Sequence, residues 1–305
     1  MRSSLGTHTS NIHELTPENR EPQSSAELSL ERATLGSNSL LWHYAGDMRI
    51  GFTGLSTGVL QLMHPGIGAG VAEHSNFFNE PWQRIERSLP WIMGVIFDPD
   101  AEATGRTVRD FHKDIKGTDS QGRHYHALQA ETYWWAHATF QNMVEQVIDR
   151  FSQRQLSSLD REQLYQEGVT WYSRYSMSSR PVPADYSSFK QKWDHICSEL
   201  LEMTPAAEQA VDMALSRNVD RVPMIPSAIW KLGRLPASEF VRVTTIGGLP
   251  AVVRKRFGIP WSPADQLELT AFETAVRAGW RFVHPKLRYH PRARAGNHYV
   301  KKLAA

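Results

Sequence analysis

Cysteine is almost missing from this 305-residue chain, in which Cys197 is the one thiol. That excludes an intramolecular disulfide, a Cys-rich zinc or iron–sulfur centre, and covalent c-type haem attachment through Cys-x-x-Cys-His. It also makes a reducing, cytoplasmic compartment the simplest expectation. Long apolar runs are missing too. The longest, residues 89–97 (LPWIMGVIF), falls far short of the ~18–20 residues that cross a bilayer. The first thirty residues are polar, so neither a membrane span nor a signal peptide is expected. No sign of charge dominates, with 34 Lys and Arg against 32 Asp and Glu for a net charge of +2. Such a balance is no footprint for a nucleic-acid partner. Gly-x-Gly-x-x-Gly and Gly-Lys-Ser/Thr are absent, which removes local support for nucleotide-binding readings. The one Gly-x-Ser-x-Gly, Gly54-Leu55-Ser56-Thr57-Gly58, lies inside an apolar helical run rather than on a strand-to-helix turn, so a serine-hydrolase reading has no local support either. No period of 20–50 residues marks a solenoid.

What is present is an ordinary globular composition, 41% hydrophobic and 22% charged, enough for a sizeable core. Residues 1–37 carry Ser, Thr, Asn, Glu and Gln with almost no large apolar side chain, a composition that cannot offset its own ordering entropy. They read as a flexible polar tail. From 38 to 305 the spacing is helical, with little two-residue alternation and no Gly/Ser-rich linker, so the expectation is all-α, a single helical domain. A first helix, 48–64, is apolar almost all round and stops at Pro65-Gly66, which puts it in the interior. A second begins at Glu80-Pro81, lines up Trp82, Ile85, Leu89, Ile92 and Ile96, and kinks at Pro90. A third, 100–116, carries the inward stripe Thr104, Val108, Phe111, His112 and Ile115 and ends at Gly117. After a polar turn at 117–125, a fourth helix over 130–151 lines up Tyr133, His137, Phe140, Val144, Val147 and Phe151. Further helices are expected at 160–176, 186–203 and 205–218, then a proline-punctuated connection at 222–236, then helices at 249–257 and 264–283.

Two histidines on inward stripes of successive helices, with arginines on a third, are the pattern that carries chemistry. Arg109 stands three residues before His112, a neighbour on the same helix, and a buried guanidinium is costly unless it meets an anion. Haem meets these requirements together: a flat apolar macrocycle, an iron that takes an imidazole, and propionates that take arginine or tyrosine. A nonhaem site of two histidines and a carboxylate has less support, since neither His112 nor His137 stands in a Glu-x-x-His pattern and only His112, in His112-Lys113-Asp114, stands in a His-x-Asp one. Periodicity by itself leaves open the commoner use of such a histidine, a core group bonded to main chain. Cys197 lies in WDHICSELL, without glycines to admit a haem edge. His124 and His126 read as exposed turn residues, and His64 and His74 as helix-end residues bonding to backbone. The basic run 287–296 reads as solvated or peripheral to the cofactor.

Several short motifs follow one another in order. They are Gly46-Asp47-x-Arg49, Met63-His64-Pro65, Pro81-Trp82-x-Arg84-x-x-Arg87-Ser88, Arg109-x-x-His112, Gly122-Arg123-x-Tyr125-x-Ala127, Trp135-Ala136-His137-Ala138-Thr139, Leu249-Pro250-x-x-x-Arg254 and Pro285-x-x-x-x-x-Pro291. The succession resembles the mpaB-type oxygenase family, which shares its catalytic domain with latex-clearing rubber oxygenases. The likeness runs from about residue 40 to 296. It implies a globin-like helical core around a noncovalent b-type haem, and dioxygen chemistry on an apolar substrate. By the same resemblance His112 is the proximal iron ligand, Arg109 the arginine before it, and Arg84, Arg87 and Ser88 the counterparts of a distal Arg-x-x-Lys-Thr run. Arg87 stands where relatives have a lysine able to ligate iron, and a guanidinium stays protonated and ligates poorly. The relatives' catalytic glutamate has no secure match, and its role is not carried over to the upstream acid Glu73. His137 matches a family histidine, expected to orient neighbours or close the cofactor pocket. The expectation is therefore a haem-dependent oxygenase whose partners are dioxygen, an apolar small molecule and an electron donor. Trp82, Trp91, Phe111, Trp134 and Trp135 are candidate substrate contacts. Its rivals are a haem or oxygen binder without turnover and a haem-free helical scaffold.

Overall fold

Side-chain caps and prolines begin most of the helices. Ser39 accepts from the Trp42 amide at the start of α1 (Leu40–Ala45). Asp47 caps a 3-10 turn, Met48–Ile50, that runs into α2 (Gly51–Leu62). Pro65 opens α3 (Pro65–His74) and Pro81 opens α4 (Pro81–Phe97), because the first helical position needs no amide proton. Asp100 caps α5 (Ala101–Asp110). An antiparallel hairpin follows, β1 (Lys116–Thr118) with β2 (His124–His126), Gly117 opposite Tyr125. Then come α6 (Ala130–Phe151), α7 (Ser158–Ser173), and α8 (Tyr186–His195) with a π-helical turn, Ile196–Leu200. The chain continues through α9 (Pro205–Leu215), α10 (Ser227–Gly248), α11 (Ala251–Arg256), α12 (Pro263–Gly279), α13 (Pro285–Arg288) and α14 (Pro291–Leu303). This computed structural model describes residues 35–303 apart from 37, 76–77, 79 and 218–226. The polar tail read at 1–37 lies outside the described residues except at 35 and 36, as does 222–226 of the proline-punctuated connection.

Among the described residues the protein is mostly helical, with one two-stranded sheet and no helix long and apolar enough to cross a membrane. α2 packs against both α6 and α10. Leu60, Met63, Trp135, Val144, Val147 and Ile148 are sealed in the core, each side chain contributing roughly 1.5–3 kcal/mol by leaving water. α4 packs against α5 on one side and α14 on the other.

Four segments depart from their sequence-based expectations. The third helix ends at Asp110 rather than at 116, so His112 and Ile115 sit in a turn and Phe111 is 55% exposed. The polar stretch at 117–125 belongs to the hairpin. Pro65 starts a helix as well as stopping one, and the glycines that make α3 look like a loop serve close approach. A Cβ on Gly68 would meet the Leu62 carbonyl and Thr204, and one on Gly70 would crowd Ile115. Residues 227–236 are helical in spite of Pro236; the helix they begin, α10, packs along α2, with Gly248 close against Ser56, and its Ser238, Val243, Thr245 and Ile246 are buried.

Candidate functional site

His112 is positioned by its own side chain. In a continuing helix the Val108 carbonyl would accept from the backbone N–H of His112. Here the ring Nδ1 takes that carbonyl at 2.8 Å, the backbone N–H turns to the Arg109 carbonyl at 2.9 Å, and α5 stops. A nitrogen facing a carbonyl must be the protonated one, so Nε2 holds the lone pair. Nε2 has no hydrogen-bond partner among the described residues. Burial lowers the imidazole pKa against the raising effect of the Val108 bond, and the charge of Arg84 lowers it further. The ring is therefore neutral near pH 7, and the main-chain acceptor on Nδ1 strengthens Nε2 as a donor to a metal. Tyr133 of α6 meets the ring edge-on at 5.8 Å between centroids.

α4 faces this imidazole. Arg84 is close enough for its charge to act on His112 and, with Arg87 one turn further along, it forms a pair of exposed guanidiniums without a carboxylate partner among the described residues. Partial desolvation against the protein surface and the neighbouring Arg87 hold the pKa of Arg84 below its ordinary value. Arg87 makes one long bond, from Nε to the Gln83 carbonyl at 3.4 Å. Ser88 is half-buried, as are Ile85, Leu89 and Ile92. Trp91 of α4, 39% exposed, meets Phe111 edge-on at 5.2 Å. A neutral ring, two unneutralised cations and an uncovered aromatic pair thus share one region.

Arg109 and His137 are engaged elsewhere. The guanidinium of Arg109 bonds the adjacent Asp110 carboxylate, from Nε at 2.9 Å and Nη2 at 2.8 Å. The expected unpaired buried cation is thus half-buried and already neutralised, which removes the sequence argument that it awaits a ligand carboxylate. His137 is 4% exposed, and its Nε2 donates to the Gly168 carbonyl at 2.9 Å. Its Nδ1 is buried without a partner, and burial pushes its pKa down to about 4. Its ring stands against Trp171, Tyr172 and Tyr175 at 4.8, 5.1 and 6.0 Å, and Tyr175 in turn meets Tyr133 at 5.4 Å. A layer of tyrosines therefore separates the two histidines.

Sequence reasoning overlooked Tyr175, which completes that layer, and Gly105. A Cβ on Gly105 would run into the Arg174 carbonyl, so this glycine lets α5 lie directly on the segment that carries Tyr175. A glycine inside a short capped helix was the available signal. The remaining candidates sit apart. Tyr125 donates to Glu73 on α3, which is about half exposed. His74 and His126 bond the Lys116 and Lys113 carbonyls at 3.3 and 3.1 Å, and His124 bonds Thr118 at 3.0 Å. His64, the N-cap of α3, has a buried, unpartnered Nδ1 and a pKa pushed down to about 4 by burial. Cys197 is buried, with its thiol pushed up to about 12. Among the described residues no three His, Cys, Asp or Glu side chains converge as a metal cage.

Fold and site together define a helical protein in which the neutral His112 imidazole, its Nε2 unbonded and not sealed in the core, stands beside a basic, partly apolar helix. Residues 42–278 match the family described as ER-bound oxygenase mpaB/B'/Rubber oxygenase, catalytic domain, and the chain belongs to that family. No curated protein and no solved structure matches the chain. The family match spans the segment from Trp42 in α1 to near the end of α12 and leaves α13 and α14 beyond it.

Proposed function

We propose that this chain is a haem-dependent oxygenase that uses dioxygen to oxidise or cleave an apolar organic substrate, with His112 as the iron ligand. The observation that carries the reading is the His112 ring itself, with Nδ1 committed to the Val108 carbonyl and Nε2 free. A single imidazole, with no donor cage among the described residues, suits an iron whose in-plane ligands come from a porphyrin. The uncovered Trp91 and Phe111, with Leu89 and Ile92, suit the flat apolar body of such a group or of its substrate. Bound haem would supply the redox-active iron at which dioxygen is activated, and an electron donor would be a further partner.

The protein's own contribution is electrostatic and steric. Arg84 and Arg87 keep positive charge on the α4 side, where it stabilises negative charge that develops on oxygen. Ser88 adds a hydroxyl one turn beyond Arg84, able to hold a water or a substrate atom. The Arg109–Asp110 pair stiffens the turn that presents His112. His137 backs the tyrosine layer against which the His112 ring rests, so its contribution to the cofactor pocket is through Tyr175 and Tyr133.

The test is an optical spectrum of the protein purified after expression with adequate haem. A Soret band is expected, lost in His112→Ala and retained in Arg84→Met, which instead lowers turnover. A wild-type protein without that band overturns the reading.

A further inference from the structure

Charge is distributed very unevenly along this chain. The last 27 residues, 279–305, contain seven Lys and Arg and no Asp or Glu, whereas the preceding 278 contain 27 Lys and Arg against 32 Asp and Glu. The structure folds the first part of this basic segment into a small exposed loop. After α12 a 3-10 turn, Trp280–Phe282, leads to α13. Arg288 closes the loop by donating from Nε to the Val283 carbonyl at 2.6 Å and from Nη2 to the Arg281 carbonyl at 2.7 Å.

Apolar side chains stand out of this loop. Phe282 is 77% exposed and Leu287 68% exposed. α13 packs against the turn Met48–Ile50, where Met48 adds a third uncovered apolar side chain, 41% exposed. Cations surround them. Arg281 lies over the Phe282 ring at 4.7 Å. Arg281, Lys286 and Arg294 are exposed, and none has a carboxylate partner among the described residues. Asp47, which pairs with Tyr289 of this segment, is 2% exposed and locked to Arg49.

We propose that this face docks the protein peripherally on an anionic bilayer surface. Lipid phosphates neutralise the cations, while Phe282, Leu287 and Met48 enter the boundary between headgroups and acyl chains, a pairing of partners that one surface supplies. A nucleic acid would neutralise the cations but leave Leu287 and Met48 in water. A second copy of the chain would set like charges against each other. The proposal does not rest on the haem reading.

The experiment is co-sedimentation of the full-length protein with vesicles of phosphatidylcholine alone and of phosphatidylcholine mixed with phosphatidylglycerol. Binding to the mixed vesicles, weakened by salt, is expected. Lys286→Glu with Arg294→Glu, and separately Phe282→Ser with Leu287→Ser, should each weaken it by roughly tenfold or more. Unchanged circular dichroism and an unchanged thermal midpoint in both variants would show that the fold survives. Equal binding to both vesicle types, no binding, or binding indifferent to both variants overturns the proposal. So does tighter association with single-stranded RNA or duplex DNA than with the vesicles, or a dimer in solution that Phe282→Ser with Leu287→Ser abolishes.

Discussion

A single side chain decides where α5 ends. The His112 ring competes with its own backbone for the Val108 carbonyl and wins, and that contest leaves Nε2 available. The other buried histidines act on stability. The pKa values of His137 and His64 fall from about 6.5 in the open chain to about 4 in the folded protein. Between those values the unfolded chain binds protons that the folded chain refuses, so stability is full above about pH 6.5 and falls as pH drops toward 4. Each histidine contributes a slope of about 1.4 kcal/mol per pH unit. Urea midpoints measured across this range should show the decline, and His137→Phe should reduce its slope by about that amount. That His112 is a candidate ligand is legible in Arg-x-x-His and its spacing. The pairing of Arg109 with Asp110 is not, because adjacent residues diverge on a regular helix and meet here where the helix gives way to a turn.

The placement of α5 and α4 depends on two contacts that a helical pattern does not announce. Gly105→Ala should gain roughly 1 kcal/mol of helix propensity and lose about 1–3 kcal/mol to overpacking. The loss prevails, because the obstacle is the Arg174 carbonyl, a backbone group that cannot swing aside. Chemical denaturation should show the net destabilisation. On α4, Arg292 of α14 bonds Asp98 at 2.6 and 2.5 Å and the Pro90 carbonyl at 2.9 Å. Its Cζ lies 5.7 Å from the Trp91 ring centroid. Arg292→Met should therefore cost about 1–3 kcal/mol, read as a lower urea midpoint. An indole shift from Trp91 should accompany it, because the cation beside that ring is lost.

At the scale of the whole molecule, the segment beyond the family match is bound into the rest of the fold. The indole N–H of Trp42 donates to Asn297 at 2.6 Å, the His290 amide donates to the Gly46 carbonyl at 2.8 Å, and Tyr289 pairs with Asp47. Gly46 and Gly296 are sites of close approach, the first against Ala293 and Phe97 and the second against Phe97. A chain ended after residue 278 should uncover Trp42 and Phe97 and leave Asp98 without Arg292. It is expected to lose soluble yield or to melt more than about 10 °C lower in a fluorescence scan.

By itself the sequence determined that the protein is helical, that His137 is buried, and that Arg84, Arg87, Ser88 and His112 come from neighbouring segments. Periodicity carries that much because it records which side of an element leaves water. Tertiary structure decided the rest: that His112 keeps an unbonded nitrogen outside the sealed core whereas those of His137 and His64 are buried, which arginine is already neutralised, and that 227–236 is helical. Those outcomes are competitions for particular carbonyls, carboxylates and packing space, and most of the competitors come from remote parts of the chain. The hydrophobic pattern of one segment holds no record of them.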